Sequence, residues 1–163
     1  MKICLIEGPD GVGKTTFIGQ LNKLLDHPVV LKHFTHEDCI KEPSTVKRYA
    51  DYIEAMHKEY GDDCTIIFDR GWYSDSIYGA ILRGKPDATT DDIAIIERLC
   101  KGYGELFIFM ITAQVEVAWK RCKARGEDLI TDKDLFKKIC GAYSVAVPRI
   151  KETTPGIFYE VRT

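Results

Sequence analysis

Residues 7–17 read EGPDGVGKTTF, and they follow directly on the apolar run KICLI. Gly8, Gly13, Lys14 and Thr15 satisfy the pattern G-x-x-x-x-G-K-S/T, with a strand-like run before it and a helix-like run after it, as the pattern requires. The glycines let the backbone turn its N–H groups inward around a phosphate at the N-terminus of the helix. The stretch therefore predicts a strand, a phosphate-binding loop and a helix, in that order.

Each polar group of this loop has an expected role. Lys14 is expected to reach the outer phosphates of a nucleoside triphosphate, and Thr15 to offer its hydroxyl group to Mg²⁺. Asp10 is unexpected on these grounds, because it puts a carboxylate where a phosphate would approach. The residues expected to contact the nucleoside triphosphate are Gly8, Asp10, Gly11, Val12, Gly13, Lys14, Thr15 and Thr16.

The bulk properties of the chain are those of a globular domain. Its 163 residues are 45% hydrophobic and 29% charged, which predicts one domain over residues 1–163. The net charge of −2 argues against a nucleic-acid or membrane partner. No apolar run approaches the roughly 18–20 residues that span a bilayer, and the start of the chain has no signal-peptide pattern. The six cysteines form no CxxC pair. We therefore expect reduced thiols in a cytoplasmic protein.

Short apolar runs predict five strands, over Lys2–Glu7, Val29–Phe34, Cys64–Phe68, Leu106–Ile111 and Ile157–Val161. Their nearly unbroken hydrophobicity favours strands that are covered on both faces. Helical periodicity fills the gaps between them, and the last helix is expected to end at Pro148. Thr89 with Asp92, and Thr131 with Asp134, are candidate capping pairs that open helices. The alternation of strands and helices predicts a three-layer α/β fold with a parallel sheet.

A second informative stretch, DRGWYSDSIYGA, begins where the third predicted strand ends. Asp69 lies at the carboxyl end of this strand, where open α/β sheets bind ligands. Asp69 could hold a Mg²⁺-bound water opposite Thr15 or cap the next helix, and the two roles are compatible with each other. Arg70 is either a bidentate ligand of a second phosphate or a surface arginine. Three aromatic residues are either packing surfaces for a sugar or base, or members of the core: Trp72, Tyr73 and Tyr78.

At these residues the chain resembles the thymidylate kinase family of nucleoside monophosphate kinases. The loop EGPDGVGKTT is similar to the family's phosphate-binding loop, including the carboxylate at Asp10. The second stretch is similar to the family's Asp-Arg-Tyr…Ser…Ala-Tyr segment, at Asp69, Arg70, Ser74 and Tyr78. A third stretch, RCKARGEDLITDKDLFKKICGAY, resembles the family's lid and the helix after it, at Arg121, Arg125, Gly126, Asp134 and Tyr143.

The resemblance implies a P-loop kinase fold with five parallel strands and a short lid at about residues 121–132. It also implies ATP and Mg²⁺ as cofactors, Arg70 on the acceptor phosphate, Asp10 on the acceptor sugar or the metal, and Tyr78 against the deoxyribose. Because family members are commonly dimers, a homodimer is one arrangement that it suggests. The residues that it implies in catalysis are Lys14, Arg70, Arg121, Arg125 and Asp10.

The chain also departs from the family pattern. The family's Arg-Glu-Pro run after the second strand has only a late counterpart, at residues 41–43. Gly79 stands where the family has glutamine, and the lid lacks the Asp-Arg pair after Gly126. Asp75 either faces the base, or points to solvent or pairs with Arg48 or Arg83. The residues expected to bind the acceptor are Asp10, Arg48, Tyr49, Arg70, Ser74, Asp75 and Tyr78, and the metal is expected at Thr15 and Asp69.

The lid arginines can also be argued from helical periodicity. The apolar stripe of the helix after the fourth strand, continued by three residues, reaches Arg125, and Arg121 lies one turn before it. A charge in that place either meets an anion or lies in solvent at a basic helix end. Because phosphoryl transfer spreads negative charge over the equatorial oxygens, arginines that close over it would lower the barrier.

These patterns lead to a kinase that transfers the γ-phosphoryl group of ATP to a deoxynucleoside 5′-monophosphate, with dTMP as the expected acceptor. One alternative is a kinase that acts on another monophosphate such as dGMP. Another is a kinase for a hydroxyl group of a deoxynucleoside or modified base, with Glu7, Asp10 or Asp69 as the base. A nucleotide-dependent switch protein is a third class, but no Asn-Lys-x-Asp sequence follows a strand to select guanine.

Overall fold

The computed structural model describes residues 1–126 and 130–163, and within them five strands alternate with seven helices. The strands are β1 (Lys2–Glu7), β2 (Val29–Lys32), β3 (Thr65–Asp69), β4 (Glu105–Thr112) and β5 (Ile157–Arg162). The helices are α1 (Lys14–Leu24), α2 (His36–Lys41), α3 (Thr45–Tyr60), α4 (Trp72–Arg83), α5 (Thr90–Tyr103), α6 (Val115–Ala124) and α7 (Lys133–Thr153). None of the helices in these two ranges combines the length and apolar character needed to cross a bilayer.

The strands form one sheet in the order β2-β3-β1-β4-β5, and every neighbouring pair is parallel. The central strands are buried on both faces, since residues 3–7 of β1 and residues 65–68 of β3 are all buried. Such burial explains why these strands read as unbroken apolar runs rather than as alternating ones. The predicted α/β fold with five parallel strands is confirmed.

The order of the strands determines where a ligand can bind. Ile6 of β1 pairs with Asp69 of β3, so these two strands end side by side at the carboxyl edge of the sheet. The glycine loop, residues 8–13, leaves this edge, and so does the turn at Arg70 that leads into α4. Ligands of open α/β sheets bind at such an edge, which makes the two turns the natural walls of a site.

Two predicted helix boundaries are wrong. Pro148 lies inside α7, which continues to Thr153 and is capped by the N–H of Thr154 on the carbonyl of Ile150. Ile150 is buried, so the last turn is stabilised by packing that offsets the loss of one helical hydrogen bond at the proline. The N-cap of α7 is Asp132, and not Thr131.

The other capping prediction is confirmed, because the Thr89 side chain accepts from the Asp92 N–H and the Asp92 carboxylate accepts from the Thr89 N–H. The short helix α2 was not predicted. It opens with the same reciprocal arrangement between Thr35 and Asp38.

The predicted lid at about residues 121–132 includes residues 127–129, which lie outside the described residues.

Candidate active site

The glycine loop adopts backbone conformations that other residues rarely reach. Gly8, Gly11 and Gly13 have φ values of 137°, 73° and 99°. At Gly11 a Cβ atom would lie 2.1 Å from the carbonyl oxygen of Ala118, so the loop packs directly on the backbone of α6. Glycine is required at this position by its φ value and by this close approach.

Lys14, the first residue of α1, lies buried beneath the loop. Its Nζ donates to the carbonyl of Gly8 at 2.9 Å and to that of Pro9 at 2.7 Å. Burial, followed by the nearby charge of Arg70, lowers the pKa of Lys14 to about 7, although the carboxylates of Asp10 and Asp69 act in the opposite direction. A phosphate bound in the loop would raise this pKa, because an anion favours the ammonium form.

A small cavity of about 120 Å³ lies over the loop and α1. It brings together residues from the glycine loop, α1, the end of β3 and the end of α6, which are far apart in the sequence. Its lining is Asp10, Gly11, Gly13, Lys14, Thr15, Asp69, Arg70 and Arg125. All eight were expected to contact the nucleotide, the metal, the transferred phosphate or the acceptor phosphate.

Asp69 is suited to hold a metal-bound water. Its Oδ1 is buried and has no hydrogen-bond partner among the described residues, and an unpaired carboxylate oxygen is costly unless a cation or water meets it. Oxygen ligands of this kind are those that Mg²⁺ prefers, and Thr15 lines the same small cavity. The residues present therefore fit Mg²⁺ held through Thr15 and Asp69. The alternative, that Asp69 caps α4, is not observed, since the N-cap of α4 is Gly71.

The cap of α4 comes instead from Glu7, at the end of β1. This fully buried carboxylate accepts from the N–H groups of Gly71 and Ser74, each at 3.0 Å, and from the Ser74 hydroxyl. The Tyr143 hydroxyl of α7 donates to it at 3.3 Å. Glu7 thus fixes the start of α4 and, through it, the turn that carries Arg70. Glu7 does not line the small cavity, which argues against its role as a base.

Arg70 and Asp10 form an ion pair where the glycine loop meets the turn after β3. Arg70 has a φ of 69°, a left-handed conformation that is uncommon outside glycine. The Tyr78 hydroxyl donates to Asp10 at 3.0 Å, and the guanidinium carbon of Arg70 lies 4.8 Å from the centroid of the Tyr78 ring. The Nη1 of Arg70 is buried without a hydrogen-bond partner among the described residues, so this nitrogen remains to bind an anion.

These neighbours also decide the charge of Asp10. Burial alone would raise the pKa of its carboxyl group. The charges of Arg70 and Lys14, with hydrogen bonds from Tyr78 and Arg70, outweigh burial and hold the pKa below its usual value. Asp10 is therefore ionised at neutral pH and compensates part of the positive charge of Arg70.

A larger cavity of about 860 Å³ adjoins the small one, and Asp10 and Arg70 line both. Its walls come from the segment after β2, from α4 and from the loop after α4. The volume lies in the usual range for a small-molecule site, about 300–1,000 Å³. The predicted acceptor residues that line it are Asp10, Arg48, Arg70, Asp75 and Tyr78.

Asp75 pairs with Arg48, one of the alternatives considered for it, and it also lines the large cavity. The Nη2 of Arg48 lies 3.4 Å from its Oδ2, and Arg48 is anchored by a second bond from Nη1 to the Glu42 carbonyl at 2.9 Å. Burial raises the pKa of Asp75 to about 6, against the opposing charge of Arg48. Arg83, the other candidate partner, pairs with Asp87.

Gly79, which replaces the family's glutamine, lets the loop after α4 pack closely on that helix. A Cβ atom at Gly79 would lie 2.6 Å from the Asp87 nitrogen, and this N–H donates to the Asp75 carbonyl at 3.2 Å. The loop therefore occupies the space that a longer side chain would need. The charged residues of α4 and of this loop that line the large cavity are Asp75, Arg83, Lys85 and Asp87.

Six predicted residues lie outside both cavity linings: Gly8, Val12, Thr16, Tyr49, Ser74 and Arg121. Tyr49 is buried between Phe34, Phe68 and Trp72, with its hydroxyl directed at Asp75, and Ser74 is bound to Glu7. Arg121 donates to the Gly11 carbonyl at 3.5 Å and to the Thr163 hydroxyl at 3.2 Å, so it braces the glycine loop. Among the loop residues, Val12 is buried and Thr16 is exposed.

No protein-family model matches the chain. The SPbeta prophage-derived uncharacterized protein YorR of Bacillus subtilis (strain 168) is 25% identical over 135 residues, which are 83% of this chain and 76% of YorR. The crystal structure of YorR in complex with phosphorylated GDP superposes with a TM-score of 0.68, at 22% identity. That match covers 98% of this chain and 85% of the YorR chain.

Two kinases of known structure have the same architecture. Deoxyadenosine kinase from M. mycoides with bound dATP has a TM-score of 0.59 at 20% identity, covering 99% of this chain and 90% of its own. Shikimate kinase from Acinetobacter baumannii in complex with shikimate has a TM-score of 0.53 at 19% identity, covering 99% and 83%. The chain therefore has the α/β fold of these P-loop kinases, with its five parallel strands and its glycine loop at the carboxyl edge.

Proposed function

We propose that this protein is a kinase that transfers the γ-phosphoryl group of ATP to the phosphate of a deoxynucleoside 5′-monophosphate, with dTMP as the expected acceptor. The observation that carries the proposal is the junction of the two cavities. A nucleoside triphosphate bound over the glycine loop and an acceptor in the large cavity would meet at Arg70 and Asp10, which line both. The similarity to YorR and to deoxyadenosine kinase, whose structures hold phosphorylated GDP and dATP, supports a nucleotide substrate.

The residues of the junction suit in-line transfer between two phosphates. Lys14 would neutralise the outer phosphates of ATP, and Thr15 and Asp69 would hold Mg²⁺, whose charge would offset that of the phosphates. Arg70 would hold the acceptor phosphate by its unpaired Nη1, and Arg125 would meet the charge that develops on the transferred group. An acceptor phosphate oxygen is already a nucleophile at neutral pH, so a strong general base is not required.

Asp75 supports a second candidate, a kinase for dGMP. An ionised carboxylate only accepts hydrogen bonds, and guanine presents two adjacent donors, N1–H and the exocyclic amine. Thymine presents one donor between two carbonyl oxygens, which an ionised carboxylate would repel. YorR, whose structure holds phosphorylated GDP, is in line with a guanine nucleotide in this fold. The resemblance to thymidylate kinases favours dTMP, and the chemistry of Asp75 favours dGMP.

The proposal is tested by a panel of acceptors with ATP and Mg²⁺. We expect phosphorylation of at least one of dTMP, dUMP, dCMP and dGMP, with little turnover of thymidine or deoxyguanosine. ATP hydrolysis without an acceptor should be slow. Turnover of nucleosides but not of monophosphates would replace the proposal by the hydroxyl-kinase alternative. Hydrolysis of the triphosphate that no acceptor stimulates would favour a switch protein.

Replacing Arg70 by alanine should raise the KM for the monophosphate about 10- to 100-fold, while the KM for ATP changes little, because the buried Nη1 is assigned to the acceptor phosphate. Steady-state kinetics with each substrate varied in turn measures both constants. Arg70→Lys keeps the charge but loses the fork, so it should recover only part of the loss. Arg98→Ala, at an exposed position of α5, is the control. Equal losses for both substrates would contradict the assignment.

The choice of base should depend on pH through Asp75. Its pKa is raised to about 6, so it is neutral at pH 5 and ionised at pH 7. The ratio of kcat/KM for dGMP to that for dTMP should therefore rise between these pH values, by roughly tenfold if both guanine donors are used. The ratio cancels the titration of the acceptor phosphate, which both substrates share. In Asp75→Asn the ratio should be flat with pH, and a wild-type ratio that is flat as well would remove Asp75 from base recognition.

A further inference from the structure

Thr163, the residue that follows β5, contacts the glycine loop through its side chain. Its hydroxyl oxygen lies 2.7 Å from the Val12 carbonyl oxygen and 3.4 Å from that of Thr112. A hydroxyl group has one proton to donate, so the shorter contact, to Val12, receives it. The Nη1 of Arg121 donates to the same hydroxyl oxygen at 3.2 Å. The hydroxyl therefore joins α6 to the glycine loop by accepting one hydrogen bond and donating another.

The sheet fixes the position of Thr163. Arg162 of β5 pairs with Thr112 at the end of β4, and the Thr163 N–H donates to the Thr112 carbonyl at 2.8 Å. The methyl carbon of Thr163 lies 3.7 Å from the place that a Cβ atom would take at Gly13. The hydroxyl is thus presented to the loop from the carboxyl edge of the sheet, on a backbone that is itself hydrogen-bonded.

The carbonyl that Thr163 holds belongs to the same peptide group as the N–H of Gly13. This peptide is trans, as are all those of the described residues, so its C=O and N–H point in opposite directions. Gly13 lines the small cavity, whereas Val12 and Thr163 do not. Among the described residues no group accepts from the Gly13 N–H. An unpaired N–H at the N-terminus of a helix, directed away from Thr163, is suited to bind a phosphate.

The orientation of this peptide is not fixed by steric hindrance at Gly13. Turning the peptide plane over changes ψ of Val12 and φ of Gly13, and glycine adopts positive and negative φ values with similar ease. Gly13 has a φ of 99° in the structure. The hydrogen bond from Thr163 exists in only one of the two orientations and therefore favours it. The glycine that lets the loop approach a phosphate thus also creates a freedom that Thr163 removes.

We propose that Thr163 is a positioning residue for phosphate binding: its hydroxyl holds the Val12 carbonyl and so keeps the Gly13 N–H directed at the phosphates of the nucleoside triphosphate. The inference rests on the proposed function in one respect, because it requires that the glycine loop binds a triphosphate. It is independent of the acceptor. Without the hydroxyl, only a fraction of the molecules would hold the binding orientation, and the apparent affinity falls by that fraction.

The test is calorimetric titration of ATP with Mg²⁺ into the wild-type protein and three variants. Thr163→Val keeps the branched shape of the side chain and removes the hydroxyl, whereas Thr163→Ser keeps the hydroxyl and removes the methyl group. Thr90→Val makes the same chemical change at an exposed threonine of α5 that lines neither cavity, and it is the control. Nitrogen-15 relaxation dispersion at the Gly13 amide, in the free and the ATP-bound protein, reports directly on exchange of this peptide.

We expect Thr163→Val to weaken ATP binding about 5- to 10-fold, the scale of one lost hydrogen bond between neutral groups. Thr163→Ser and Thr90→Val should stay within about twofold of the wild type. The Gly13 amide of free Thr163→Val should show exchange that is absent from the wild type and that saturating ATP removes. Unchanged ATP affinity in Thr163→Val overturns the inference. A loss of affinity that serine does not rescue, or that leaves the Gly13 amide as in the wild type, overturns it as well.

The inference and the proposed function fail in different ways. If the wild type phosphorylates a monophosphate while Thr163→Val binds ATP as tightly as the wild type does, the inference is wrong and the proposed function stands. If the wild type binds ATP but phosphorylates no monophosphate, the proposed function is wrong, and the calorimetric comparison still decides the role of Thr163. If the wild type binds no nucleoside triphosphate, both are wrong.

Discussion

Lys14→Ala is expected to lower kcat/KM for ATP by about 10³-fold or more, because it removes the main positive charge from the phosphate-binding loop. The lysine is buried and its Nζ is bonded to the carbonyls of Gly8 and Pro9, so it is part of a formed loop. The fold should survive the change, since the sheet and the apolar core do not depend on this side chain. Steady-state kinetics and circular dichroism, measured together, test both statements.

A second measurement tests whether Lys14 gains a proton when ATP binds. Its pKa of about 7 means that part of the population is neutral at pH 7.5, and a bound triphosphate would restore the charge. ATP binding should therefore take up a fraction of a proton, which calorimetry in two buffers of different ionisation enthalpy reveals. Lys14→Met should lose this uptake. Lys23→Ala, at the exposed end of α1, should behave as the wild type.

An active Lys14→Ala variant with a normal circular dichroism spectrum would remove the lysine from phosphoryl transfer. If proton uptake on ATP binding is equal in Lys14→Met and in the wild type, the charge of Lys14 does not change when the nucleotide binds. The two measurements are independent, because proton uptake needs no acceptor and no turnover.

Sequence alone was sufficient where local chemistry decides the structure. The glycine loop could be predicted because its positions need φ values that only glycine reaches easily and because the lysine and hydroxyl follow at fixed spacing. The central strands β1 and β3 could be predicted because burial on both faces requires nearly unbroken apolar runs. The ends of these strands then placed Asp69 and Arg70 at the edge of the sheet, beside the loop.

The contacts that sequence reasoning missed join distant parts of the chain. His33 meets Asp69 across 36 residues, and Glu7 meets Ser74 across 67. Neither contact follows from a spacing pattern in the sequence. The residues of each pair are brought together by the order of the parallel strands and not by the local sequence. A contact between a residue at the end of β2 and the end of β3 could have been suspected, since the two strands are neighbours in the sheet. That inference requires the strand order to be known first.

Predictions from local sequence were wrong or incomplete where tertiary packing decided the structure. Pro148 was expected to end the last helix, but burial of Ile150 carries α7 one turn further. Asp75 and Arg48 were each candidates for base recognition, and their ion pair across 27 residues came from the packing of α3 against α4. The sequence offered both partners but no means to choose between Arg48 and Arg83.

The second large effect is expected at Arg125, at the end of α6. Arg125→Ala should lower kcat by about 10²-fold while the KM values change less than about threefold, if the arginine meets charge that develops mainly in the transition state. Arg125 lines the small cavity with Lys14 and Thr15, where the transferred phosphoryl group would lie. A KM that rises while kcat stays constant would instead indicate uniform binding of ATP.

Arg121 provides the matched comparison, one helical turn before Arg125 on the same helix. Because Arg121 donates to the Gly11 carbonyl and the Thr163 hydroxyl, its expected role is to brace the loop. Arg121→Ala should therefore lower kcat less than Arg125→Ala does. It should also weaken ATP binding, because the loop that Arg121 braces positions the nucleotide. Single-turnover kinetics at saturating substrates compares the chemical step of the two variants directly. Equal losses in that step would assign both arginines to the transferred phosphate, and a larger loss at Arg121 would reverse their roles.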